Sequence, residues 1–168
     1  MSTETTKLQK TLGKNIDELC PFSIGKLSNQ NHCAHYVSHM MDFEFSGTTC
    51  KNFTWADKQK PEKGATIRVN DVFKNCKTNG LLSSKSASIT ECLIFVTIAS
   101  NMSTMGSKLT MGNNPRKHIG ILKDGKIWNY SNTGNKVVSD LTSTFISKFT
   151  RAYKTSGTTV EFYYGTIK

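Results

Sequence analysis

The chain has 168 residues and a mass of 18.7 kDa, and 22 Lys and Arg against 12 Asp and Glu give a net charge of +10. That length suits one domain, and a hydrophobic content of 36% with nine Phe supplies a core, which argues against a disordered chain. No apolar run approaches the ~20 residues of a membrane span, and the opening stretch Met1–Lys10 lacks the apolar segment of a secretory signal.

A pI near 9.5 fits an anionic polymer as partner: nucleic acid, a membrane surface, or a bacterial wall rich in carboxylates. The lysines are scattered, however, and the densest cluster, Lys58-Gln-Lys-Pro-Glu-Lys63, carries a glutamate inside it. Such scatter reads as a solvated face rather than a binding stripe. Five cysteines stand at Cys20, Cys33, Cys50, Cys76 and Cys92, with no Cys-x-x-Cys and no zinc-ribbon spacing. Two readings stand side by side: a reactive thiol plus up to two disulfides, or five buried thiols.

Residues 1–13 are polar and read as a frayed start, with residues 14–168 forming one domain. Asn15–Cys20 is a short helix that stops before Pro21, and Asn29–Asp42 is a second helix, capped by Asn29 or Asn31. Residues 46–66 are a long loop, and Val69–Cys76 is a third short helix. Glu91–Ala99 is a buried strand, and Ser100–Pro115 a loop. Lys117–Leu122 and Lys126–Ser131 flank Asp124-Gly125, a strong hairpin signal, and Thr159–Tyr164 is a last strand. Helices first and an antiparallel sheet afterwards make an α+β domain.

Three residues concentrate the chemistry. Cys33 opens the second helix, where unpaired N–H groups and the helix dipole favour a thiolate; it also lies on that helix's apolar stripe, which suits a plain core cysteine. If Asp124 and Gly125 are the central turn residues, Gly120 faces Asn129 and His118 faces Ser131, so all four share one face. An Asn129 amide oxygen can then fix the His118 tautomer, whereas taken alone His118 reads as a solvent-facing hairpin residue.

Cys33, then His118-Ile-Gly-Ile121, then Asn129 in Trp128-Asn-Tyr130 resembles the papain-like, NlpC-type cell-wall cysteine peptidases and their amidase relatives. The second block matches well. The first departs, with His32-Cys33-Ala34-His35 where many members have Asp-Cys-Ser-Gly. The resemblance covers residues 29–131 and implies a papain-like domain, N-terminal helices packed on a C-terminal sheet, that hydrolyses an amide bond in peptidoglycan. Cys33 would be the nucleophile, His118 the base and then the acid, and Asn129 the residue orienting it. The Cys33 backbone N–H, with Gln30 or His32, would supply the oxyanion hole, and Ser131 or Asn132 are alternatives for the third residue.

The same resemblance points to a monomer without cofactor, made in the cytoplasm without a signal peptide. It would act in the periplasm or wall as an injected antibacterial effector, of the type VI secretion kind, or as a lysin. An acidic immunity protein would complement its charge. Three other readings carry less weight. Asn31–Val37 is also similar to the cysteine motif of lecithin:retinol acyltransferase relatives, but the Cys–His order is reversed and no anchor is seen. His35 and His39, four apart, have a zinc-chelating spacing but lack the glutamate of a metalloprotease, so they are taken as core or surface histidines and no metal is expected. A nucleic-acid module with Trp55, Tyr130 and Tyr153 as stacking platforms matches no known motif, so no nucleic-acid partner is expected.

Overall fold

A computed structural model describes residues 2–45, 47–57 and 63–167; apart from Lys63, the Lys58–Lys63 cluster lies outside them. The architecture is α+β, with four helices around a six-stranded antiparallel sheet. In chain order the elements are α1 (Ser2–Gln9), α2 (Cys33–Met41), α3 (Val69–Lys74), β1 (Thr78–Leu81), β2 (Cys92–Ile98), β3 (Met102–Met105), β4 (Lys108–Met111), β5 (Lys117–Lys123), β6 (Lys126–Ser131), β7 (Lys136–Leu141), α4 (Thr142–Tyr153) and β8 (Val160–Thr166). The strands run β1-β8-β2-β5-β6-β7 across the sheet, and β3 and β4 form a separate hairpin. No helix of the described residues is long and apolar enough to cross a membrane.

The sheet is covered on both faces, and every residue of β2 is buried. Period-two alternation sorts the strands' side chains between two cores. Leu93, Phe95, Ile119, Ile121, Trp128 and Tyr130 face α2 and α3, where Phe73 meets Phe95 edge-on at 5.0 Å. Ile94, Val96, Leu122 and Ile127 face α4, which contributes Phe145 and Phe149. Each such side chain, buried fully, contributes on the order of 1.5–3 kcal/mol. A smaller cluster of Cys20, Ile24, Cys50 and Ala65 holds the loops at the far side of α2.

Several segments differ from expectation. The start is not frayed: α1 buries Leu8, Thr11 Oγ1 meets the Tyr36 hydroxyl at 3.1 Å, and Gly13 N–H donates to the Val137 carbonyl at 2.9 Å. One leucine and one threonine hydroxyl in a polar segment are enough once they land on the core. Asn15–Cys20 is only a 3-10 turn, Ile16–Glu18, closed by a capping box between Asn15 and Glu18. The stretch expected as a loop, 100–115, contains the β3–β4 hairpin, turned at Gly106 with φ 64°. Residues 132–158, to which the sequence pattern assigns no element, hold β7 and α4; α4 is Ser- and Thr-rich and carries its apolar stripe on aromatics at 145, 149 and 153.

The β5–β6 hairpin has the expected register, with Lys123 opposite Lys126 and Gly120 opposite Asn129. Asp124 and Gly125 both take positive φ, 52° and 73°, which matches the strands' twist in a two-residue turn. Gly120 is needed for a different reason. A Cβ there would lie 2.5 Å from Ile127 Cγ2 and 3.1 Å from the Trp128 carbonyl oxygen. Gly120→Ala should therefore cost about 1–3 kcal/mol by overpacking, seen as a lower urea midpoint; an unchanged midpoint would contradict this packing.

Candidate active site

α2 begins at Cys33 because side chains, not helix propensity, hold its first turn. The Cys33 backbone N–H donates to Asn31 Oδ1 at 3.0 Å. Asn132, in the β6–β7 turn, accepts the His32 N–H on Oδ1 and donates from Nδ2 to Asn31 Oδ1, each at 2.9 Å. The β6–β7 turn is thus clamped to the start of the helix, which sets where the Cys33 sulfur sits.

On β5 and β6, His118 and Asn129 meet: His118 Nε2 lies 3.1 Å from Asn129 Oδ1. The proton's position follows from the neighbours. Asn129 Nδ2 donates to the Ile127 carbonyl at 3.2 Å and to Asp140 Oδ2 at 3.0 Å, and both of these only accept. The amide orientation is therefore determined, Oδ1 must face the ring, and Nε2 must carry the hydrogen. In the neutral imidazole the lone pair is then on Nδ1. Asp140 in turn pairs with Lys148 at 3.0 Å. Neither Asp140 nor Lys148 stands out in the sequence; alternation along β7 was the one available signal, and that strand escaped notice.

His118 is fully enclosed. Its ring stacks on Phe149 at 4.3 Å and tilts against Phe145 at 6.0 Å. Burial pushes its pKa down to about 4, against the Asn129 hydrogen bond, so the ring is neutral near pH 7. Burial likewise pushes the Cys33 thiol up to about 12, although the backbone N–H groups of Ile119 and Ala34 and the Lys117 ammonium pull it back. The resting pair is thus a neutral thiol and a neutral imidazole.

The two groups approach from different layers: His118 faces α4, and Cys33 packs with Ile119 and Ile121 on the side of α2. The β5–β6 ladder ends at Gly120–Asn129. Beyond it the Ile119 N–H lies against the Cys33 sulfur instead of continuing the pairing to β6. Tyr153, at the end of α4, is close enough to feel the charge of Cys33. The sulfur therefore occupies the gap where the two strands part. Among the described residues no hydrogen bond joins the Cys33 thiol to His118.

Cys33, 1% exposed, forms part of the floor of a cleft lined by Asn31, Arg68, Asn113 and Lys117. Lys117 Nζ donates to the Asn114 carbonyl at 3.0 Å, which ties down the loop at the cleft rim. Arg68 and Lys117 make the cleft electropositive, and neither they nor Asn113 were singled out in the sequence.

The remaining sequence candidates fall elsewhere. Ser131 Oγ accepts the Gly134 N–H within a turn at 3.1 Å, and Asn132 holds the start of α2, so neither contacts His118. The His32 ring is buried and engaged by the Leu27 carbonyl and His35, so it is not an oxyanion donor. The Cys33 N–H is occupied by Asn31, so it is not a free donor either. Gln30 is half-buried. All five cysteines are free, buried thiols. No family model, curated protein or solved structure matches the chain.

The burial of neutral His118 has a thermodynamic signature. Its folded pKa lies below the ordinary 6.5, so the unfolded chain binds the extra proton, and the stability this group allows is lost as pH falls from 6.5 towards about 4. Between pH 7 and pH 5 the wild type should lose about 2 kcal/mol more than His118→Gln. Urea unfolding of both proteins at both pH values checks this, and equal losses would place His118 in contact with water.

Proposed function

We propose that the protein is a papain-like thiol hydrolase of the NlpC type that cleaves an amide bond in peptidoglycan. The observation that carries this reading is the Asp140–Asn129–His118 relay, which fixes a histidine with its donor nitrogen used up and its basic nitrogen unspent, on the strand next to the Cys33 sulfur. A thiol at about 12 beside an imidazole at about 4 does not ionise at rest. On this reading the proton passes from Sγ to Nδ1 as the carbonyl is attacked, once the strand gap lets the two side chains meet, so His118 acts as general base during attack and not as one half of a standing ion pair. The imidazolium then protonates the leaving amine, and water enters to hydrolyse the thioester by the same route.

Developing charge on the carbonyl oxygen needs donors in this dry setting. The Cys33 N–H can serve once Asn31 Oδ1 releases it, and the Asn31 and Asn113 side chains line the same cleft. Arg68 and Lys117 favour substrates bearing carboxylates, a property of peptidoglycan stem peptides.

Purified sacculi digested by the protein should release soluble peptide fragments, whose masses name the bond cut. Cys33→Ala should release none while remaining folded, with only a modest drop in its unfolding midpoint. Asn129→Ala should slow release by ~10²-fold, and Asp140→Ala should slow it less and shift the acidic limb of the pH profile. Full activity in Cys33→Ala would end this assignment.

A further inference from the structure

On the far side of α2 from the hairpin, Cys20, His35, His39 and Cys50 bring four ligand atoms together, all within 4.8 Å of one another. The residues come from three segments. Cys20 follows the 3-10 turn at Ile16–Glu18, His35 and His39 stand four apart on α2, and Cys50 lies beside the Thr49–Thr66 bridge. Cys20, His35 and Cys50 are buried, and His39 is half-buried at the rim.

The hydrogen-bond chain behind His35 decides which of its nitrogens faces this cluster with a lone pair. His32 Nε2 is 2.9 Å from the Leu27 carbonyl, which only accepts, so that nitrogen carries the hydrogen. A neutral His32 ring then has its lone pair on Nδ1, which can only accept. His35 Nδ1, 3.2 Å away, must then donate to it. The lone pair of His35 is therefore on Nε2, which lies 3.2 Å from His39 Nε2. Zn–N bonds of 2.0–2.1 Å at a tetrahedral angle set the two nitrogens about 3.3 Å apart, so this spacing is that of two imidazoles sharing one ion. A metal-bound histidine whose other nitrogen is held by a further partner is the usual supporting arrangement. The Leu27–His32–His35 chain supplies it.

The sulfur side agrees. The Cys20 and Cys50 sulfurs lie within 4.8 Å of each other and of both imidazole nitrogens. Two thiolates, two neutral imidazoles and one divalent ion sum to zero charge, so the occupied cluster would leave no uncompensated charge buried.

We propose that Cys20, His35, His39 and Cys50 bind a single zinc ion in tetrahedral coordination, closed to substrate and structural in role. Binding releases the thiol protons to solvent. The ion ties the segment around Cys20 and the loop around Cys50 to α2, where the described residues supply a small apolar cluster of Ile24, Ala65 and their neighbours. This goes beyond the hydrolase reading and does not rest on it.

The test is metal content and spectroscopy on reduced, full-length protein. Elemental analysis should find one zinc per chain, and Co²⁺ replacing it should give the visible and near-ultraviolet bands of tetrahedral thiolate coordination. Cys50→Ser and His39→Ala should lose those bands, Cys76→Ser should keep them, and a chelator should lower the wild-type melting temperature. A wild type that binds neither Zn²⁺ nor Co²⁺ would overturn the proposal, as would full binding in Cys50→Ser or an intact mass showing Cys20 and Cys50 closed as a disulfide. Cys33→Ala should bind metal as the wild type does, so failure of the hydrolase reading and failure of this one are separable.

Discussion

The contact between Asn129 and His118 depends on the absence of a side chain at Gly120. Directly across the hairpin, a methyl group there would collide with Ile127 and the Trp128 carbonyl. With the strands this close, the Asn129 amide has three partners whose donor and acceptor roles leave it one orientation. A tautomer, ordinarily a free choice worth little energy, becomes a consequence of backbone spacing. The charge behind it, Asp140 with Lys148, lies further from the cleft and nearer to solvent, where holding a carboxylate costs less.

The same enclosure sets the electrostatics. Cys33 and His118 are both displaced from their ordinary ranges by burial, in opposite directions, towards the neutral form. Under the proposed hydrolase reading, such a pair would exchange its proton only when a substrate changes the dielectric and supplies donors. The cationic cleft above it supplies long-range attraction without ionising the thiol.

The elements legible in the sequence were those whose signal is local. Asp124-Gly125 between β-branched runs gave the hairpin, its register and the His118–Asn129 contact, since a two-residue turn leaves no freedom in what faces what. The expected facing of His118 by Ser131 failed because the ladder stops two pairs short and the strands part to admit Cys33, an event that originates in α2, a hundred residues earlier in the chain. α1 was missed because its burial depends on Leu8 and Thr11 finding Tyr36. α4 was missed because Ser and Thr dilute its stripe of aromatics. The cysteines were the hardest. No spacing rule links Cys20 to Cys50, and what brings them to His35 and His39 is the path of two irregular loops, which follow tertiary contacts and not periodicity.

Nine residues of α2 carry the thiol of Cys33 on the first turn and the imidazoles of His35 and His39 further along. A helix advances 100° per residue, so one inserted or deleted residue between positions 33 and 35 would swing the sulfur out of the strand gap while the histidines stayed in place. The interval Cys-x-His-x-x-x-His is therefore a rigid ruler. Homologous chains that keep both sets of side chains in place should lack length changes inside that interval.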